Sequence, residues 1–365
     1  MTRYDALLVG YYGMHNTGDD MLMAAAAAGA KRSFGAEKIA ATAARGSEIC
    51  TSLNLTAIQS SVQKFKGQDR LLKYLAAKRS QHIVIGGGSV FHTEKDIKQK
   101  TQYLKLAASQ THCAVGVGLG PFINTAAERA CATFLNRCTF TGVRDQDSFN
   151  IARSIAPNAN VALTFDLAPG MSLEPAFKSS LALQRDNAIG VALCPVERFK
   201  GNEKAELDRN TVIADTLRNL YQQEAFEVRL IDFNGHSALG DHIVHHDLLQ
   251  KLDGIPCEIL QYVADPFYAV NQISRLRGIL AMRLHAAVFG YLSDTPVIAL
   301  NYHPKCNNWC RDIGQGEEFS VETANLDAEK LRQGLAKILA GNYSHPDLPV
   351  SAAAEKAMSN WSPLS

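Results

Sequence analysis

The chain has 365 residues, more than one ordinary hydrophobic core organises, so two domains are expected. With 37 basic against 36 acidic residues and no long block of either sign, the balance argues against nucleic-acid binding by bulk electrostatics. No signal-peptide pattern opens the chain, no stretch reaches the ~18–20 apolar residues of a membrane span, and eight scattered cysteines read as reduced thiols. A cytoplasmic protein, or one peripheral to the inner face of the membrane, is expected.

In chain order, "ALLVGYY" reads as a buried strand, followed by a turn and the alanine-rich helix "MLMAAAAAGAKRS". "KIAATAA" and "HIVIGGG" are strands, "QYLKLAAS" a helix, and "CAVGVGLG" a strand entering a glycine turn. "FTGVRD" and "VALTFD" are strands on either side of the helix "SFNIARSI". Fully apolar strands alternating with helices indicate a parallel sheet covered on both faces. Pro, Gly, Ser and charged residues then gather over 171–187, which reads as a linker. The alternation resumes with strands "AIGVALCP", "EVRLIDF", "EILQYV", "GILAM" and "PVIALNY". The intervening helices are "ELDRNTVIADTLRNLYQQ", "DHIVHHDLLQKL", "PFYAVNQISR" and "RLHAAVFGYL". The expected fold is α/β, two doubly wound Rossmann-like domains facing a cleft. Their boundaries are 1–170 and 188–345, with a tail helix over 346–365.

Open parallel sheets bind ligands beyond the carboxyl ends of their strands, where helix N-termini present unpaired N–H groups. The residues just past each strand are therefore the candidates for a site. After the first strand come Gly13, Asn16, Thr17, Gly18, Asp19 and Asp20, turn and cap residues suited also to a ligand. Gly86, Gly87 and Gly88 come after "HIVI" with Ser89 behind them, and three glycines at a strand end suit a ligand lying against backbone. Arg144 ends "FTGV", with Asp145, Asp147 and Ser148 as capping candidates. "GVGLG" lacks the G-x-x-G arm of a dinucleotide site and runs into Pro121. His242 and His246, four apart, lack the glutamate of H-E-x-x-H and read as a solvated helix face. The Cys306–Cys310 pair has no second pair nearby, so no metal is expected.

"AMRLHAAVFG" stands out. Its apolar stripe would be Leu284, Ala287, Val288 and Tyr291, leaving Arg283 and His285 off the stripe in the first turn. Cations at a helix N-terminus oppose the macrodipole by ~0.3–1 kcal/mol, so an anion is expected to offset them. Lys305, after the next strand, points to the same site.

"VGYYGMHNTGDDMLM", "VIGGGSVFHTE", "GVGLGP", "TGVRDQDS" and "AMRLHAAVFGYLSDTPVIALNYHPK" occur in the order that characterises the polysaccharide pyruvyl transferase family. The chain resembles that family from about residue 7 to 315. The resemblance implies a GT-B-like fold and transfer of a pyruvyl group from phosphoenolpyruvate to the hydroxyls of a polysaccharide, or its lipid-linked precursor, as a ketal. It associates Arg283 and His285 with donor binding and catalysis, and it matches Arg144 and the Asn16, Gly18, Asp19 set to family motifs. Two departures stand out: Cys194 lies about where members carry an arginine, for which Arg198 is a candidate replacement, and His303 occupies a place where aspartate is frequent.

Phosphoenolpyruvate needs sites for a phosphate and a carboxylate, and Arg283 and Lys305 suit that demand, with Arg144 and Arg198 as further donor-binding candidates. His285 is the expected general acid/base, with Asp19 a candidate second base. Asn16, Gly18, Gly86, Gly87, Gly88 and Ser89 are expected to hold the acceptor. The scheme needs no cofactor beyond phosphoenolpyruvate as co-substrate. A nucleotide-sugar glycosyltransferase on the same fold and a non-catalytic glycan-binding relative are the rival readings.

Overall fold

In a computed structural model, residues 4–59, 62, 65–107 and 111–364 are described. The chain divides into two compact units, one formed by residues up to 14, 19–173 and 351 onward, the other by 15–18 and 174–350.

In the first unit the strands are β1 (Tyr4–Tyr12), β2 (Ile39–Ala43), β3 (Thr56–Ala57), β4 (Ser80–Phe91), β5 (His112–Leu119), β6 (Phe140–Val143) and β7 (Val161–Leu163). They form one parallel sheet in the order β3-β2-β1-β4-β5-β6-β7. Every residue of β2 and β5 is buried, which is why these strands show continuous apolar runs rather than alternation. Residues 102–106 of "QYLKLAAS" end a longer helix, Glu94–Leu106, and 108–109 lie outside the described residues.

β4 runs through the glycine triplet and on past the expected strand end as far as Phe91. A Cβ on Gly86 would sit 2.5 Å from the Tyr12 hydroxyl and 2.9 Å from Ala26 Cβ, and one on Gly87 2.8 Å from Leu22 Cβ. These glycines let the helix Thr17–Phe34 pack down on the strand. Gly87 also has φ +63, which favours glycine.

The second unit contains β8 (Ala188–Ala192), β9 (Glu227–Ile231), β10 (Cys257–Leu260), β11 (Gly278–Ala281), β12 (Val297–Asn301) and β13 (Ser320–Glu322). Their order is β10-β9-β8-β11-β12-β13, again all parallel. Leu280 pairs with Val191 on one side and Ile298 on the other, in a core shared with Leu217, Leu230 and Phe319. Much of the segment read as a linker is part of this unit. Its helix Pro175–Ser180 buries Phe177, and the Ser180 carbonyl accepts from Asn271 Nδ2 at 2.9 Å.

The tail helix, Val350–Met358, falls within the first unit from residue 351. Fully buried Asn360 accepts from the Gly116 N–H (2.7 Å) and the Thr164 hydroxyl (2.8 Å), and donates to the Phe165 carbonyl (3.0 Å). Trp361 packs where a Cβ on Gly29 would stand, 2.0 Å from the indole Cε2. No helix among the described residues is long and apolar enough to cross a membrane.

Candidate functional site

The second sheet reverses its winding between β8 and β11, where open α/β sheets leave room for a ligand beyond the strand ends. β8 runs out into Cys194, and β11 into Met282 and Arg283. The Met282 N–H donates to the Ala192 carbonyl at 2.9 Å and holds the two ends together.

Arg283 is extended (φ −71, ψ 125) and caps the helix Leu284–Leu292 rather than lying in its first turn. Its carbonyl accepts from the N–H groups of Ala286 and Ala287 at 3.0 and 3.2 Å. Leu284 and every residue from Ala286 to Leu292 are buried, so the expected stripe is only part of a helix buried nearly all round. His285 is its half-buried exception.

Asp241 decides how Arg283 is used. Fully buried, it accepts from the N–H groups of Phe233 and Asn234, each at 3.0 Å, and from Arg283 Nε at 3.0 Å and Arg283 Nη2. Burial works to lower the guanidinium pKa, but the Asp241 carboxylate outweighs it and holds the arginine above its ordinary value. Arg283 is therefore not the unpaired cation that the sequence suggests. Nη1 has no hydrogen bond among the described residues.

The turn holding Asn16 and Gly18, expected on the acceptor side, groups with the second unit. The Thr17 N–H donates to the Phe233 carbonyl (2.9 Å), the Gly235 N–H to the His15 carbonyl (2.8 Å), and the Gly18 N–H to Asn16 Oδ1 (3.0 Å). This brings Gly18 against His285: a Cβ on Gly18 would sit 2.2 Å from the imidazole Nδ1. Phe233 and Asn234 thus link the turn to Asp241, and Asp241 links it to Arg283.

Lys305 stands in the first turn of the helix Pro304–Ile313. His303 Nδ1 accepts the Lys305 N–H at 3.2 Å and caps this helix. The lysine Nζ lies 5.6 Å from the Tyr302 ring centroid. Cys194 is buried within electrostatic reach of Arg283, Asp241, Arg209 and Lys305, and burial pushes its thiol up to about 11, so it adds no charge at neutral pH. Asp241 offsets the charge of Arg283, and Lys305 adds a second cation at the start of the next helix, where helix N-termini favour an anion.

The other candidates are placed elsewhere. Arg198 Nε donates to buried Glu206 (2.8 Å), and its Nη2 donates to Asp247. Arg209, not anticipated from the sequence, is nearly fully buried, with Nη1 2.6 Å from Glu197 and 3.1 Å from Met282 Sδ. Arg144 belongs to the first unit, whereas Arg283 and Lys305 belong to the second. Its Nη2 donates to Ser89 Oγ at 3.2 Å, its Nε to Asp145 at 3.3 Å, and its Nη1 lies 3.8 Å from Asp166. Asp145 also caps its helix, accepting from the Ser148 N–H at 2.8 Å. Asp19 sits in the first turn of the helix Thr17–Phe34, its Oδ1 3.6 Å from where a Cβ on Gly88 would lie.

Asp241 is the residue that sequence reading missed. An aspartate before a helix signals a cap, yet its side chain caps nothing here and turns to Arg283. His245, also passed over, is fully buried; its Nε2 accepts from the Leu193 N–H (3.0 Å) and its Nδ1 lies 2.5 Å from Asp232.

Solved structures of similar fold span nearly the whole chain at low identity. UDP-GlcNAc 2-epimerase from Methanocaldococcus jannaschii is 13% identical, with a TM-score of 0.61 over 96% of this chain and 97% of its own. The Neisseria meningitidis epimerase, bound to UDP-GlcNAc, is 12% identical, with a TM-score of 0.58 over 98% and 100%. Sucrose-phosphate synthase from Thermosynechococcus elongatus is 14% identical, with a TM-score of 0.55 over 99% and 95%. These likenesses show the GT-B-like fold. No curated protein matches the sequence significantly. The profile of the polysaccharide pyruvyl transferase family matches residues 16–304, from Asn16 through the "RLH" helix to the residue before Lys305, and the chain belongs to that family.

Proposed function

We propose that the protein transfers the pyruvyl group of phosphoenolpyruvate to two hydroxyls of a saccharide, forming a cyclic ketal and releasing phosphate. Atoms balance: one hydroxyl proton converts the donor methylene to methyl, and the other leaves with phosphate. The observation that carries this reading is the pairing of Arg283, fixed by Asp241, with the neighbouring His285, whose ring lies on Gly18.

The roles derive from charge and position. Lys305 and Nη1 of Arg283 bind the donor anions and stabilise the departing phosphate. His285 delivers the proton to the methylene carbon and takes one from the attacking hydroxyl. The anchoring of Arg283 favours this division, because a guanidinium already held in place loses little freedom on binding. Asn16 and Gly18 line the same site and contribute to holding the saccharide. Cytoplasmic action on a soluble or lipid-linked precursor is part of the same proposal.

Incubating the whole chain with phosphoenolpyruvate and a panel of free and lipid-linked sugars tests it, with inorganic phosphate and the mass of the sugar product as readouts. Phosphate release coupled to a pyruvylated sugar is expected, and His285→Ala should abolish both while retaining the folded circular dichroism. Stabilisation by UDP-sugars with no turnover of phosphoenolpyruvate would instead favour glycosyl transfer.

A further inference from the structure

At the carboxyl ends of β1 and β2, the first unit holds a cavity of about 180 Å³ whose walls include Tyr11, Lys73, Asp96, Gln99, Lys100 and Tyr103. That volume far exceeds the ~10–15 Å³ needed by one water centre. The cavity lies on the carboxyl-end side of the strands, the side on which parallel sheets bind ligands, and none of these residues takes part in the pyruvyl-transfer scheme above.

Two lysines from different helices meet here. Lys100, of the helix Glu94–Leu106, keeps only 5% of its side chain exposed and pairs with Asp96 at 2.5 Å. The same Asp96 accepts the Tyr11 hydroxyl at 3.3 Å. Lys73, of the helix Gln68–Lys78, is half-buried and within electrostatic reach of Lys100 and of Asp69 on its own helix. Burial, the largest cause for both, pushes both ammoniums below the ordinary lysine value; Asp96 opposes it at Lys100 and Asp69 at Lys73, while the charge of Lys73 adds to it at Lys100. Packing accounts for Lys100, which lies 5.4 Å from the Tyr11 ring centroid and 6.0 Å from that of Phe91. It does not account for a second, like-charged amine on the same cavity wall. Asp96 offsets one of the two charges, and an anion between the amines would offset the repulsion and burial cost that remain.

We propose that this cavity binds an anionic group of the saccharide acceptor, a phosphate ester or a sugar carboxylate, between Lys73 and Lys100. That the carrier is a saccharide rests on the proposed function; the anion site itself does not. Tyr11, more than a third exposed, and Met14, half exposed, stand at the mouth and give the attached sugar an apolar edge to lie on.

Calorimetric titration of the whole chain with glucose 1-phosphate, glucuronate, inorganic phosphate and glucose, without phosphoenolpyruvate, tests this. Repeating it in a Lys305→Met chain weakens anion binding at the second-unit cluster and leaves the cavity unchanged. An anionic sugar should bind at least tenfold more tightly than glucose and than inorganic phosphate. Lys73→Met should cut that affinity about tenfold, and Lys73→Arg should keep most of it. Lys73 carries the test because Lys100 is the more deeply buried of the two, and its replacement disturbs the fold as well as the charge. Equal affinity for charged and neutral sugars, or no effect of Lys73→Met in a folded chain, overturns the site. Inorganic phosphate binding as tightly as the sugar phosphate overturns the acceptor assignment. Because no donor is present, failure of phosphoenolpyruvate turnover leaves the binding result readable, and loss of the lysine effect leaves the transfer assay readable.

Discussion

Asp241→Asn isolates the link on which the donor site is built. The asparagine keeps an oxygen for the N–H groups of Phe233 and Asn234, but it loses the charge that two nitrogens of Arg283 share. Removing one partner of a buried pair costs about 3–5 kcal/mol. Here the backbone acceptor survives, and 19% exposure of the Arg283 side chain admits water to part of its charge, so about 2–3 kcal/mol is expected. For a body of ~150–250 residues this lowers Tm by roughly 4–12 °C. Arg283→Met should also destabilise, because it leaves Asp241 buried with a full charge and no cation. The double variant should then recover at least ~1.5 kcal/mol relative to the sum of the single losses, since contacting residues are not additive. Thermal unfolding of the four chains measures the coupling, and the KM for phosphoenolpyruvate, expected to rise in Asp241→Asn, measures the function. Additivity within ~0.5 kcal/mol, or an unchanged KM, would refute the claim that Asp241 sets Arg283 in place.

Gly18→Ala should lower the transfer rate at least tenfold in a folded chain, because its Cβ would occupy the space of His285 Nδ1, 2.2 Å away; a normal kcat would show that the ring does not work from this position. Arg198→Met should destabilise by about 3 kcal/mol in urea unfolding, since fully buried Glu206 loses its closest partner, while the KM for phosphoenolpyruvate stays within twofold. A large KM effect would return Arg198 to the donor site. Asn360→Ala should cost about 2–6 kcal/mol, because at ~1–3 kcal/mol per orphaned buried group it strands the Gly116 N–H and the Phe165 carbonyl. An unchanged denaturation midpoint would count against that accounting.

The parallel sheets were legible because buried strands leave an unbroken apolar signature, as in β5 and β8. β3 and β13, of two and three residues, are too short to leave one. The glycine triplet is instructive in another way. Three glycines at a strand end suit a ligand lying against backbone, and at Gly86 and Gly87 Tyr12, Leu22 and Ala26 also occupy the space a side chain would need. A sequence shows that a Cβ is missing, not what fills its place. Arg283 and His285 were found because charge at the start of an apolar helix is locally unfavourable. Asp241 was not, because an acidic residue at a helix start is locally favourable and so attracts no notice. Its function depends on a partner 42 positions away, which no local pattern reports.

Asn360 has a consequence for synthesis. Residues 19–173 of the first unit leave the ribosome before any of 174–350, yet the Gly116 N–H and the Phe165 carbonyl wait for an asparagine made 244 and 195 positions later. The unit begun first is therefore finished last, and until then it carries unsatisfied buried groups at β5 and just beyond β7. A chain broken off after the second unit would hold a matured second sheet beside a first sheet that has not closed, a difference that limited proteolysis of ribosome-bound intermediates would show.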